Sequence, residues 1–304
     1  MPWLGRSEKK KKIIIQQLKH KYYYIIDNKR WNTMKKYLLN QAIFAIIVIV
    51  ILTSGCIKEK PKEPIQKATS IINITTQQVQ QQKETFTGEM KIIGNGSATS
   101  FIETLDNKIS TIGIKFSEDI LQNLPEKDTE YILNLPTESK TVFNHITINW
   151  NPKGHIPPGI YDIPHFDFHF YLISMDDRDK ITGKGDSALK MQKNVSAEYI
   201  PKGYISTPGG EPRMGAHWIN PESPEFIGNT FTKTFIYGFY NGTMVFLEPM
   251  VSVSYLKRKQ NFIEDIERPE KYPIPGRYPT KYSLQYDKQK KEYKIALEDM
   301  KTEN

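Results

Sequence analysis

The chain has 304 residues, enough for one large domain or two small ones, with 38% hydrophobic and 12% aromatic residues. Its formal net charge of +8 comes mostly from the first 36 residues, where KKKK stands at 9–12. The balanced remainder offers no basic patch, so no nucleic-acid partner is expected. The single cysteine, Cys56, excludes an intrachain disulfide and a Cys-rich metal site.

Residues 1–33, with their KKKK, III and YYY runs, have no usable periodicity and read as a leader or an upstream extension outside the fold. Met34 opens a complete export signal over 34–55: Lys35 and Lys36, then the 11-residue apolar run AIFAIIVIVIL at 42–52, then small residues. The cysteine that follows Ser54-Gly55 resembles the lipobox of prokaryotic lipoproteins, with Thr53 where Leu is usual. That resemblance implies a diacylglycerol on the Cys56 thiol and a lipid-anchored chain on the outer face of the cytoplasmic membrane or its equivalent. Without lipidation the same run would be an anchor, although it is short for a spanning helix. The Lys/Pro- and Gln-rich stretch 56–85 reads as a flexible tether.

From Phe86 onward, short alternating segments are separated by Gly, Pro and Asn. Strands are expected at 86–93, 110–116, 130–135, 142–149, 165–173, 231–239, 243–255, 280–286 and 292–297. Their spacing and aromatic enrichment predict a mainly β domain over 86–298, an antiparallel β barrel or sandwich with one or two short helices. One helix is placed at 118–123, capped by Ser117 and stopped by Pro125, and a second at 261–266. The stretches GKGDS (183–187) and TPGGEP (207–212) read as flexible loops that could cover a site, and YPIPGRYPTKY (272–282) as a Pro-pinned surface loop. Asn73, Asn95, Asn194 and Asn241 stand in N-x-Ser/Thr sequons, which an exported chain could glycosylate.

Five of the six histidines fall between 145 and 217. In PHFDFHFY (164–171) a strand puts His165, Asp167, His169 and Tyr171 on one face and the phenylalanines on the other. A straight strand holds His165 and His169 about 13 Å apart, too far to share one ion at about 2.0–2.1 Å without a bulge or bend. Glu248, in MVFLEPM, is a carboxylate in an apolar strand, costly unless paired or coordinated, and Pro249 suggests that the strand stops beside it. His165, His169, His217, His155 and Glu248 are therefore the candidate metal ligands, with Glu248 also a candidate general base. Asp167 and Tyr171 are candidates to orient the ligands. His145 reads as a half-buried strand residue. This donor set suits a divalent ion, zinc first, with manganese or iron allowed and copper kept open by Met214 and Met250. The competing reading is an ion-free hydrogen-bonded network in a non-enzymatic envelope module that binds a small molecule or protein. A homo-oligomer is compatible with either.

The motifs WNPKGHIPPGIYDIPHFDFHFYLIS, PKGYISTPGGEPRMGAHWINPESPEF, FTKTFIYGFYNGTMVFLEPMVSVSYL and PGRYPTKYSLQYD resemble a family of exported bacterial and archaeal proteins catalogued as a domain of unknown function. The resemblance spans about 92–297 and implies a secreted, often lipid-anchored, mainly β domain, without implying a reaction. The histidines followed by a later glutamate are also similar to cupins, although the gap between His169 and His217 departs from cupin spacing.

Overall fold

A computed structural model describes residues 82–138 and 140–303. The expected leader at 1–33, the signal at 34–55, lipidation of Cys56, the sequon at Asn73 and the tether up to 81 lie outside the described residues. Among those described, no helix is long and apolar enough to cross a membrane.

Two antiparallel sheets lie face to face. The first has β1 (Lys83–Ile93), β2 (Gly96–Leu105), β3 (Lys108–Ser117), β14 (Glu292–Glu298), β13 (Lys281–Asp287) and β11 (Phe262–Asp265), in that order across the sheet. The second runs β4 (Thr129–Asn134), β5 (His145–Asn151), β6 (His165–Tyr171), β10 (Thr243–Ser252), β9 (Lys233–Tyr240), β8 (Ala216–Ile219) and β7 (Ile205–Ser206). A small ribbon pairs β12 (Gly276–Tyr278) with β15 (Lys301–Glu303). The mainly β expectation holds, and of its two forms the structure is the sandwich, since neither sheet closes on itself.

Alternation makes the core. Ile112, Ile114 and Phe116 of β3 and Ile295 and Leu297 of β14 face Ile146 and Ile148 of β5, Phe166, Phe168 and Phe170 of β6 and Leu247 and Val251 of β10 in one buried cluster. The Phe116 and Phe168 rings stack across the sheets with centroids 5.8 Å apart. Burying each such ring contributes about 1.5–3 kcal/mol, so β6 is pinned with its even-numbered residues inward. Its odd-numbered residues must then face away from the sandwich core.

Several local expectations are corrected. The helix placed at 261–266 is strand β11, because its period is two: Phe262 packs on Tyr255 and Tyr282, and Glu264 accepts from Tyr282 Oη at 2.7 Å. The helix at 118–123 is a single 3-10 turn over Glu118–Leu121, and Ser117 Oγ accepts from Ser97 N instead of capping it. Three α-helices went unforeseen: α1 (Met175–Asp179), α2 (Asp186–Met191) and α3 (Val253–Leu256). The last takes over the end of the strand expected to reach 255, with Ser252 Oγ accepting from Tyr255 N. The stretch 272–282 is not simply surface, for Tyr272 and Tyr278 are buried and stack at 3.7 Å.

Candidate metal centre

On β6, His165, Asp167, His169 and Tyr171 do share one face, and all four are buried. The face is extended sideways by register. On β5, Asn151 pairs with His165, Asn149 with Asp167, Thr147 with His169 and His145 with Tyr171. On the other side, β10 pairs Phe246 with Tyr171 and Met250 with Asp167, which puts Glu248 across from His169.

Glu248 is not at a strand end, as the proline had suggested. β10 continues through Pro249, which pairs with Phe235 of β9. On the β6 side, however, no residues pair between Leu247 and Met250. Proline has no N–H to donate, and the unpaired stretch of β10 runs beside His169. His217 arrives from farther out: β8 pairs it with Gly238 of β9. Gly238 in turn sits under the Phe246 ring, where an added Cβ would come within 2.1 Å of a ring carbon. Phe246 thereby wedges between the two imidazoles, 4.7 Å from the His169 ring and 5.4 Å from that of His217.

The five candidate ligands and Asp167 fall into two groups of three, each with ligand atoms within 4.8 Å of one another. The first is His169, His217 and Glu248. The second is His155, His165 and Asp167. His165 and His169 do not meet, because β6 stays extended through His165–Tyr171.

In the first group, His169 Nε2 lies 3.5 Å from Glu248 Oε1 and His217 Nε2 lies 3.8 Å from Glu248 Oε2. Both nitrogens of His169 and Oε2 of Glu248 are buried with no hydrogen-bond partner among the described residues. Ligand atoms on a tetrahedral ion with arms of about 2.0–2.1 Å stand about 3.3–3.4 Å apart, near these separations and beyond ordinary hydrogen-bond length. The charges agree. Burial, helped by the Asp167 charge, pushes Glu248 well above the usual carboxylate range. Burial also drives His169 well below the usual imidazole value and takes His217 down to about 4. Two neutral imidazoles and a carboxylate that lacks a counter-charge are donors a divalent cation would complete. His217, with 20% of its side chain exposed, gives the group its contact with solvent.

The second group is better connected. Asp167 Oδ2 accepts from Asn151 Nδ2 at 2.7 Å and stands 3.4 Å from His155 Nε2, while Oδ1 is 3.1 Å from His165 Nε2. Burial opposes its charge, yet the His165 and His155 side chains hold Asp167 well below the usual carboxylate range. Burial opposes the charge of His155, but the pull of Asp167 and of the Ile156 carbonyl together outweighs it and moves His155 up. Both groups could hold a metal.

Tyr171 lines the first group without reaching it. Its ring stacks on His169 at 5.6 Å and on His145 at 4.7 Å, beneath the Arg178 guanidinium at 4.3 Å. His145 therefore belongs to neither group. Met250 is buried opposite Asp167, and Met214 packs beside Tyr171 and Phe246. Asn151, Phe246 and Gly238 escaped the sequence reading. Only Asn151 had a signal, the polar alternation His145, Thr147, Asn149, Asn151 in HITINWN.

A family model described as "TTHB210-like: Hypothetical protein TTHB210" matches residues 106–150. That segment covers β3 to most of β5 and holds no residue of either group. No curated protein and no solved structure matches the chain.

Proposed function

We propose that the protein is a membrane-tethered extracytoplasmic lipoprotein whose β domain binds a divalent metal ion, zinc first, through His169, His217 and Glu248. The observation that carries the metal is the convergence of buried donor atoms that lack hydrogen-bond partners in the first group. Leaving such atoms unpaired costs about 1–3 kcal/mol each, more if charged, and one cation answers a nitrogen of His169 together with the Glu248 carboxylate. Three protein donors leave tetrahedral zinc a fourth position, which distinguishes a catalytic or ligand-binding centre from a closed structural one. Glu248 is then a ligand, and its role as a general base is subordinate to that. Export rests on the signal and lipobox-like residues 34–56 and on the resemblance to exported proteins. Asn95, Asn194 and Asn241 are exposed, as glycan acceptors in such a compartment would be.

Metal analysis of the purified full chain tests the centre. The expected result is bound zinc that is lost in a folded His169→Ala, Glu248→Ala variant. A well-folded chain with no metal, indifferent to chelator, would overturn it. For the anchor, Cys56→Ser is expected to abolish lipid labelling and membrane fractionation. Continued membrane association of that variant would make the apolar run the anchor instead.

A further inference from the structure

We propose that His155, His165 and Asp167 form a second divalent-metal site, separate from the first, so that the sheet face carries two ions. The residues are distinct from those of the first centre, and the inference goes beyond it.

Tautomers carry the argument. His165 Nδ1 lies 2.6 Å from the Ile163 carbonyl oxygen, and His155 Nδ1 lies 2.7 Å from that of Ile156. A carbonyl only accepts, so both Nδ1 atoms bear the proton, and in a neutral ring Nε2 is then a lone pair. Both Nε2 atoms turn to the same carboxylate, at 3.1 Å and 3.4 Å. A lone pair facing a carboxylate oxygen repels it; a cation between them makes all three atoms ligands. Donating Nδ1–H to a backbone carbonyl while Nε2 ligates is the usual way a protein orients a metal-binding imidazole.

The ion-free alternative makes both rings imidazolium. Charge-assisted N–H···O bonds are about 2.7–2.9 Å long, shorter than either separation. His165 Nε2 and Asp167 Oδ1 moreover lack hydrogen-bond geometry at 3.1 Å, and both are buried atoms without a partner among the described residues. Asn151 occupies Oδ2 and leaves Oδ1 for the ion.

The surroundings suit the role. The His165 side chain is wholly buried, with the rings of Phe231 and Tyr161 at 5.5 Å and 6.5 Å, which fixes it. The His155 side chain is 37% exposed and offers a way in from solvent. Two imidazoles and one carboxylate suit zinc or a similar divalent transition metal. Because His165 and His169 are about 13 Å apart along an extended strand, one ion cannot serve both groups.

The full chain, stripped with chelator and reloaded with Zn²⁺ alone, is analysed for bound zinc per chain. The same is done for His155→Gln, His165→Gln and Glu248→Gln, with circular dichroism to confirm folding. His155 lies outside the strands, so its variant decides the matter if His165→Gln unfolds. Two equivalents, falling to one in the histidine variants and to one in Glu248→Gln, is the expected result. One equivalent kept in His155→Gln and lost in Glu248→Gln overturns the second site and leaves the first. One equivalent lost only in His155→Gln supports the second site and overturns the first. No bound zinc overturns both.

Discussion

Two clusters with the same kinds of side chain share one strand, and burial treats them oppositely. Asp167 keeps its charge because Asn151 donates to it and two imidazoles from β6 and the 152–163 segment crowd it. Glu248, equally buried, has Oε2 without a hydrogen-bond partner among the described residues, with imidazoles at 3.5 Å and 3.8 Å, and is pushed toward its neutral form. The difference teaches that desolvation is common to both and that local donors decide its outcome. One cluster has a donor within the chain for one of its carboxylate oxygens, the other has none among the described residues, and each leaves an oxygen for an ion.

The largest expected effect that tests this contrast is on Asp167. Asp167→Ala in metal-free protein should destabilise by about 3 kcal/mol, because it leaves the Asn151 amide without its acceptor and removes the carboxylate that the His165 and His155 rings face. Urea unfolding measures it, and a loss under 1 kcal/mol would mean that Asn151 does not stabilise the Asp167 charge. Gly238→Ala should come next, at about 1–3 kcal/mol from overpacking. By displacing Phe246 it should weaken zinc binding in the Glu248 group while sparing the Asp167 group, as titration of each group's variants would read.

His145 sharpens the comparison as a buried imidazole with no carboxylate bonded to it. Burial and the Arg178 charge lower it from 6.5 to about 4. A depressed folded value means that its contribution is complete above pH 6.5 and is lost as pH falls toward 4. His145→Gln should therefore remove about 1–2 kcal/mol of the stability lost between about pH 7 and pH 5. The smallest effect has the opposite sign. Glu248 is raised above 4.5, so stability due to its neutral form is complete below pH 4.5 and is lost as pH rises through the folded value. Metal-free Glu248→Gln should then be about 1 kcal/mol more stable than the parent at alkaline pH, and the two should converge near pH 4.5. With zinc present the order should reverse, since the parent binds one more ion than the variant.

Much of this was legible in the chain itself. Alternation in PHFDFHFY separated the core phenylalanines from the polar row, and β-branched and aromatic segments located nine of the strands. Period two also argued against His165 and His169 sharing an ion. The misreadings have local causes. Phe262 and Glu264 alternate in too short a run to tell strand from helix, and Pro249 looked like a strand end although only its β6 side goes unpaired.

What amino-acid order determined by itself was which side chains share a face, because the two-residue period of a strand is a property of the backbone. Tertiary structure alone decided which strands became neighbours. Register brought Glu248 across from His169, the β8–β9 pairing carried His217 to the same place, and Phe246 could enter only over Gly238. The first two are long-range pairings between segments tens of residues apart, and no local pattern encodes them. The protonation of the two clusters was settled there too, since it depends on donors that folding alone brings within reach.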